Sequence, residues 1–301
     1  VNAPVPSDSI TTGVEPGEAV ARYPGWLLAP GLCWAVLFCF VPLLIVIAVS
    51  FAARGTYGGV VWTFSLANYA DLLHPLYFRI FAQSILFAAV TTALCLLLGF
   101  PLAYYIARLP RRRQGIWLML VMIPFWTNFL VRTYAWMFIL RTEGVMNRLL
   151  IGAGLIDAPI ELLYSDGAVV LGLVYGYLPF MVLPLYAAVE RLDPVLVEAA
   201  WDLYASRWSV FRRVVLPLTK PGVIAGCLLV FIPSLGAFIT PDLLGGAKSM
   251  MVGNLIQHEY LVVRDWPLGS ALSFVLMGFL IVAMAVYYRV DAGMNRQGSQ
   301  P

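Results

Sequence analysis

The side chains best suited to catalysis or metal binding are few and scattered in this 301-residue sequence. Its two histidines, His74 and His258, have no neighbour at metal-ligand spacing, and Cys33, Cys39, Cys95 and Cys227 all lie inside apolar runs. Small buried hydrophobes are the simplest role for those thiols. No Gly-x-x-x-x-Gly-Lys-Ser/Thr loop that could cradle nucleotide phosphates occurs anywhere in the chain. The expectation is therefore no catalytic residue and no metal ligand. Informative spacing appears instead in one polar stretch, residues 190–220. Pro194 opens a helical turn there, and Leu196, Ala199, Ala200 and Leu203 recur at three- and four-residue intervals, with Glu198 and Asp202 one turn apart beside them. Ser206 is placed to cap a second short helix running through Ser209 and Phe211 to Arg213. Two short helices joined by a tight turn and flanked by apolar runs would make a rigid knob.

Such a knob has to be held by larger elements, and the composition says what they are. Of all residues 61% are hydrophobic and 12% charged, with mean hydropathy +0.85, whereas a soluble domain is about half apolar and about a quarter charged. Lipid is the expected solvent for the excess. A crossing helix needs about 20 apolar residues, and the runs that qualify are 26–50, 80–107, 116–140, 168–189, 223–240 and 269–288. Prolines 42, 101, 124, 179, 184 and 233 fall inside these runs, where a bundle can tolerate them as kinks. Residues 1–25 and 289–301 read as tails, and 26–288 as the transmembrane domain.

Lysine and arginine set the orientation. The two tails, the short loop with Arg108, Arg111, Arg112 and Arg113, and the 190–220 stretch hold 12 of the 19 basic residues, against six in the alternate loops. Basic loops stay in the cytoplasm, so both termini and the knob are expected there. Within the outer loops, residues 144–150 set Val145, Met146, Leu149 and Leu150 against Asn147 and Arg148, an amphipathic turn expected to lie along the membrane surface, with plugging of an outer opening as the alternative. Arg132 stands alone as an ionised group inside an apolar run, one turn from Asn128. An ion pair with an outer-loop or neighbouring-subunit carboxylate, or snorkelling outward, is expected of it.

Glu198-Ala199-Ala200, followed at fixed spacing by Val214, Leu216 and Pro217, resembles the signature loop of bacterial ABC importer permeases: Glu-Ala-Ala, three residues, Gly, nine residues, Ile, one residue, Leu-Pro. Tyr204 departs from it, standing where the pattern has glycine. Either the turn closes with ordinary dihedrals, or the tyrosine adds a contact to a partner. Residues 123–128 (Ile-Pro-Phe-Trp-Thr-Asn), 178–186, 221–227, 242–248 and 264–267 are similar to permeases of spermidine and putrescine importers in particular.

The resemblance implies an all-α membrane protein, a six-span type I ABC importer transmembrane domain of the bacterial inner membrane. It implies work beside a second homologous permease subunit, two copies of an ABC ATPase and a periplasmic polyamine-binding protein, without nucleic acid. This chain would bind no cofactor; ATP and Mg would belong to the ATPase. Glu198, Ala199, Ala200, Asp202, Leu203, Tyr204, Ser206, Val214, Leu216 and Pro217 would form the ATPase-coupling loop. A polycation needs carboxylates, aromatic faces or carbonyls along its route, and Trp126, Asn128, Arg132, Tyr134, Tyr175, Tyr177, Phe238 and Asp242 are the candidates for path or gate. Aromatic residues also suit interfacial belts and bundle cores. The alternatives are the same machine carrying another small solute, or a secondary transporter, which would need coupling residues inside the spans.

Overall fold

The computed structural model describes residues 29–297. Contacts divide the chain into two units, Val1–Ile45 and Val46–Pro301. In the first lies most of α1 (Ala29–Ser50), an apolar helix carrying Pro42, where the Trp34 and Phe38 rings sit 4.2 Å apart on successive turns.

The second unit is helical apart from a two-stranded ribbon, β1 (Ala53–Arg54) against β2 (Val60–Val61). After the short α2 (Ala67–Asp71) come α3 (Pro75–Ala107), α4 (Arg111–Trp126), α5 (Phe129–Leu140), α6 (Val145–Gly152) and α7 (Asp166–Glu190). Then follow α8 (Pro194–Asp202), α9 (Arg207–Val210), α10 (Leu216–Leu235), α11 (Val252–His258) and α12 (Trp266–Gln297). Among the described residues five helices are long and apolar enough to cross a membrane, six when the bent α4–α5 pair counts as one span. This is the all-α multi-span architecture expected.

The starts of the long helices are written locally. His74 precedes Pro75, and its Nδ1 accepts the Leu76 N–H at 3.3 Å; Ser165 Oγ accepts the Ala168 N–H at 3.2 Å before α7. The core sits where α3, α7 and α10 meet. A Cβ added at Gly222 would lie 2.3 Å from Ala188 Cβ and 2.7 Å from the Pro184 carbonyl oxygen, so α10 approaches α7 backbone to backbone. Met181 of α7 fills the saddle between Gly99 of α3 and Gly226 of α10. Several hydroxyls inside the bundle bond to the carbonyl four residues earlier: Ser84 to Ile80, Thr92 to Ala88, Thr219 to Val215 and Ser234 to Val230.

Several spans differ from the hydropathy reading. The run 116–140 is not one helix: α4 and the helical stretch beyond it bend by 86° at Thr127–Asn128. Pro124 removes one ladder N–H, Thr127 Oγ1 donates to the Pro124 carbonyl at 2.7 Å, and Asn128 Oδ1 caps a new helix by accepting the Leu130 N–H at 2.9 Å. The fifth long helix ends at Leu235 rather than at Thr240, because Gly236 closes it. The last one continues to Gln297, past the boundary at 288. In α6 Asn147 is buried, donating to the Arg141, Thr142 and Ile160 carbonyls and accepting the Ile160 N–H, while Val145, Arg148 and Leu149 are exposed.

Candidate functional site

Asp193 starts α8, its Oδ1 accepting the Val195 N–H at 3.0 Å, with Pro194 in the first turn. Ser206 Oγ accepts the Ser209 N–H at 3.3 Å and starts α9, which passes through a π-helical turn, Phe211–Val215, into α10 at Leu216 and Pro217. Between the two helices Tyr204 takes the left-handed conformation, φ +57°, with a side chain 98% exposed. The alternative of ordinary dihedrals is thereby excluded. The turn has the geometry a glycine would favour, and the tyrosine occupies it at a steric cost.

The expected outer face is present except at Ala200: Leu196, Ala199 and Leu203 are exposed with Glu198 and Asp202 beside them. Val197 is the residue that turns inward, 2% exposed, and with Val210 and Val215 it joins the cluster of Cys95, Phe100, Ala103 and Ile106 from α3 and Met181, Val182 and Leu185 from α7. Ala200 and Val214 are half-buried against that same cluster. Trp201 and Trp208 are exposed as well. The exposed surface of the knob is thus larger and more aromatic than the spacing implied, and Ala200 belongs to the packing beneath it. Trp201 and Trp208 were passed over because three consecutive apolar residues, Val195, Leu196 and Val197, leave the register of so short a helix undecided.

The knob and the arginine-rich loop share one end of the bundle. Gln114 of α4 donates to the Ala107 and Leu109 carbonyls at 3.1 and 2.8 Å, and its Oε1 accepts the Tyr186 hydroxyl at 3.0 Å from the last turns of α7. Phe100 of α3 meets Phe211 edge-on at 5.3 Å.

The second group of candidates assembles where the α4–α5 break faces α7. Phe180 stacks edge-on to Phe125 at 5.1 Å, Tyr177 lies 6.2 Å from Phe180, and Tyr175 meets Trp136 edge-on at 5.5 Å. Arg132 sits between these pairs. Its guanidinium carbon is 5.4 Å from the Phe129 ring centre, 5.8 Å from Phe125 and 6.0 Å from Tyr175. Its Nε and Nη1 are buried with no acceptor among the described residues, so the expected carboxylate partner is not supplied by the outer loops of this chain. Tyr177 donates to the Pro233 carbonyl at 3.2 Å, tying the aromatic wall to α10. Trp126 and Tyr134 flank the wall and are exposed, Asn128 is spent on its cap, and Phe238 and Asp242 stand apart beyond the end of α10, both exposed. Phe125, Phe129 and Phe180 were missed because an isolated Phe in an apolar run looks like any other lipid-facing or core residue.

At this far end the loops are laced together. Arg54 pairs with Asp265 at 3.5 Å and donates to the Val263 carbonyl, and Ser249 Oγ donates to Asp166 Oδ1 at 2.5 Å. The Val252 N–H reaches Ser84 Oγ at 2.8 Å, and the Tyr164 N–H the Leu244 carbonyl at 2.9 Å. Among the described residues no three His, Cys, Asp or Glu side chains gather as a metal site.

Residues 96–296 match the model of the family described as binding-protein-dependent transport system inner membrane component. The chain is 45% identical over 264 residues to the spermidine/putrescine transport system permease protein PotB of Escherichia coli K12, covering 88% of this chain and 96% of that one. It is 32% identical to the molybdenum transport system permease protein ModB of Mycobacterium bovis, over 68% of this chain and 75% of that one. Among solved structures it is similar to a bacterial ABC transporter importing the acidic polysaccharide alginate, with TM-score 0.68 at 16% identity over 88% and 96% of the two chains. The MetNI methionine ABC transporter matches with TM-score 0.51 at 16% identity, over 75% and 99%. At such identity these two likenesses speak to fold alone.

Proposed function

The chain belongs to the binding-protein-dependent transport system inner membrane components and is the non-catalytic permease half of an ABC importer, and from that premise we propose that its cargo is a polyamine, putrescine or spermidine. The observation that carries the cargo is the PotB likeness along nearly the whole chain, joined by an aromatic wall of the kind that can pass ammonium groups by weak, sequential contacts. Recognition is left to a periplasmic polyamine-binding protein, and ATP and Mg are bound by two copies of a partner ATPase beneath this chain and a second permease subunit. Residues 194–217 dock in a cleft of that ATPase. Since Val197, Val210 and Val215 share one core with α3 and α7, closure of the cleft is transmitted as rigid-body rotation rather than lost in a loose loop. Both termini lie in the cytoplasm.

Titration of the cognate binding protein with putrescine, spermidine and inorganic anions, followed by uptake in vesicles, tests the assignment. Saturable polyamine binding is expected; exclusive binding of an oxyanion would replace it. That second reading, a permease for a small anion, is favoured by the unpaired Arg132 guanidinium and by the ModB likeness.

A further inference from the structure

Arg132 is a half-buried cation of the bent α4–α5 pair whose guanidinium carbon faces aromatic rings. Two of its three guanidinium nitrogens are buried without an acceptor, and Phe125, Phe129 and Tyr175 surround its carbon at 5.4 to 6.0 Å. In a low-dielectric setting an ion pair or a set of hydrogen bonds would normally hold such a group, and ring quadrupoles are a much weaker substitute. The arginine is therefore well placed but loosely tied. The rings that hold it are the same faces that would attract an ammonium group, and both cations cannot occupy them together. The box also sits at the 86° break between α4 and α5, the one interrupted span in the described residues.

We propose that Arg132 is a built-in competitor of the transported cation: its guanidinium occupies the aromatic box of Phe125, Phe129 and Tyr175 when the path is empty, closing it to amines, and leaves the box when a cargo ammonium enters. This rests on the polyamine reading for the identity of the cargo, not for the existence of the plug. A resident positive charge also supplies selectivity in time, because a second polycation is repelled until the first has passed and the guanidinium has returned. No covalent step is involved.

The test uses the complete transporter, with its second permease and ATPase, in vesicles loaded with radiolabelled putrescine and given no ATP. Arg132→Gln is expected to raise passive efflux by about 10-fold, the loss of a desolvated cation–ring contact, whereas Arg132→Lys, which keeps a cation for the box, should stay as tight as the unaltered protein. Phe129→Leu, which removes one ring, should leak to an intermediate degree. Efflux from fully assembled Arg132→Gln vesicles equal to that of the unaltered protein would overturn the proposal. If Arg132→Gln does not assemble, Phe129→Leu decides: raised efflux supports the plug and unchanged efflux overturns it. ATP-driven putrescine uptake by the unaltered transporter is the separate arm for the cargo. Should that uptake be absent, the efflux comparison is repeated with tetramethylammonium, where a leak confined to Arg132→Gln supports the plug without the polyamine and no leak overturns it.

Discussion

Tyr204 pairs a left-handed backbone with an almost fully exposed ring, and a β-carbon in that conformation costs about 1 kcal/mol. Tyr204→Gly should therefore raise the thermal stability of the purified subunit slightly. If it also lowers ATPase stimulation in the assembled transporter, the ring has its own contact on the partner; retained stimulation would mean the turn alone matters. The interface itself is probed at Ala199, which is exposed beside Glu198 and Trp201. Ala199→Arg should put an unpaired charge into a desolvated contact and weaken ATPase capture by several kcal/mol, read by pull-down, while the six spans still insert. Ala200→Arg would be a poor probe, since Ala200 packs on the core beneath the knob and the variant would damage the fold first. Helix starts at Pro194 and Ser206 were legible from residue type, because caps and prolines act locally. The inward residue of the knob was not, because burial of Val197 rather than Leu196 is decided by α3 and α7, far away in the chain.

Among the helices, the α7–α10 contact is the most exacting. At Gly222 an added methyl would meet Ala188 Cβ and the Pro184 carbonyl, neither of which can rotate away. Gly222→Ala is expected to destabilise the subunit by about 1–3 kcal/mol, seen as a lower unfolding temperature in detergent. The outer end carries the pH-sensitive element. Burial, and then the charge of Asp265, push the Glu259 carboxyl above its ordinary value, with His258 and Arg54 acting the other way. An acid raised on folding stabilises the protein below its unfolded pKa and loses that contribution as pH rises toward the folded value. Unfolding temperature should consequently fall as pH rises through that window, and Glu259→Gln should flatten the fall; an unchanged slope would place the pH dependence elsewhere. The broken third span shows what hydropathy cannot carry. Pro124 and Asn128 were both visible, but an average over apolar residues has no direction, and an 86° turn leaves it unchanged.

At the scale of the molecule, the arginine loop at 108–113 and the knob, separate in the sequence, lie at one end of the bundle, where Gln114 ties the loop to Tyr186 and Phe100 meets Phe211. Cysteine labelling at residue 113 from the cytoplasmic side and at Gly246 from the periplasmic side is the expected pattern, and the reverse would invert the proposed orientation. The all-α multi-span class, the helix starts of the knob and the family pattern were readable because each is a property of short stretches; the count of six holds when the bent α4–α5 pair is taken as one span. The aromatic wall was not, since Phe125, Arg132, Tyr175 and Phe180 meet only through the packing of the bent pair on α7. The central claim is that this permease half converts ATP hydrolysis elsewhere into inward movement of a polyamine. Its most direct test is accumulation of radiolabelled putrescine and spermidine in vesicles holding this chain, the second permease and the ATPase, with the loaded binding protein on the outer side. Accumulation against a gradient that requires ATP, the binding protein and this chain together is expected. Stimulated ATP hydrolysis with no accumulation of either polyamine would contradict it.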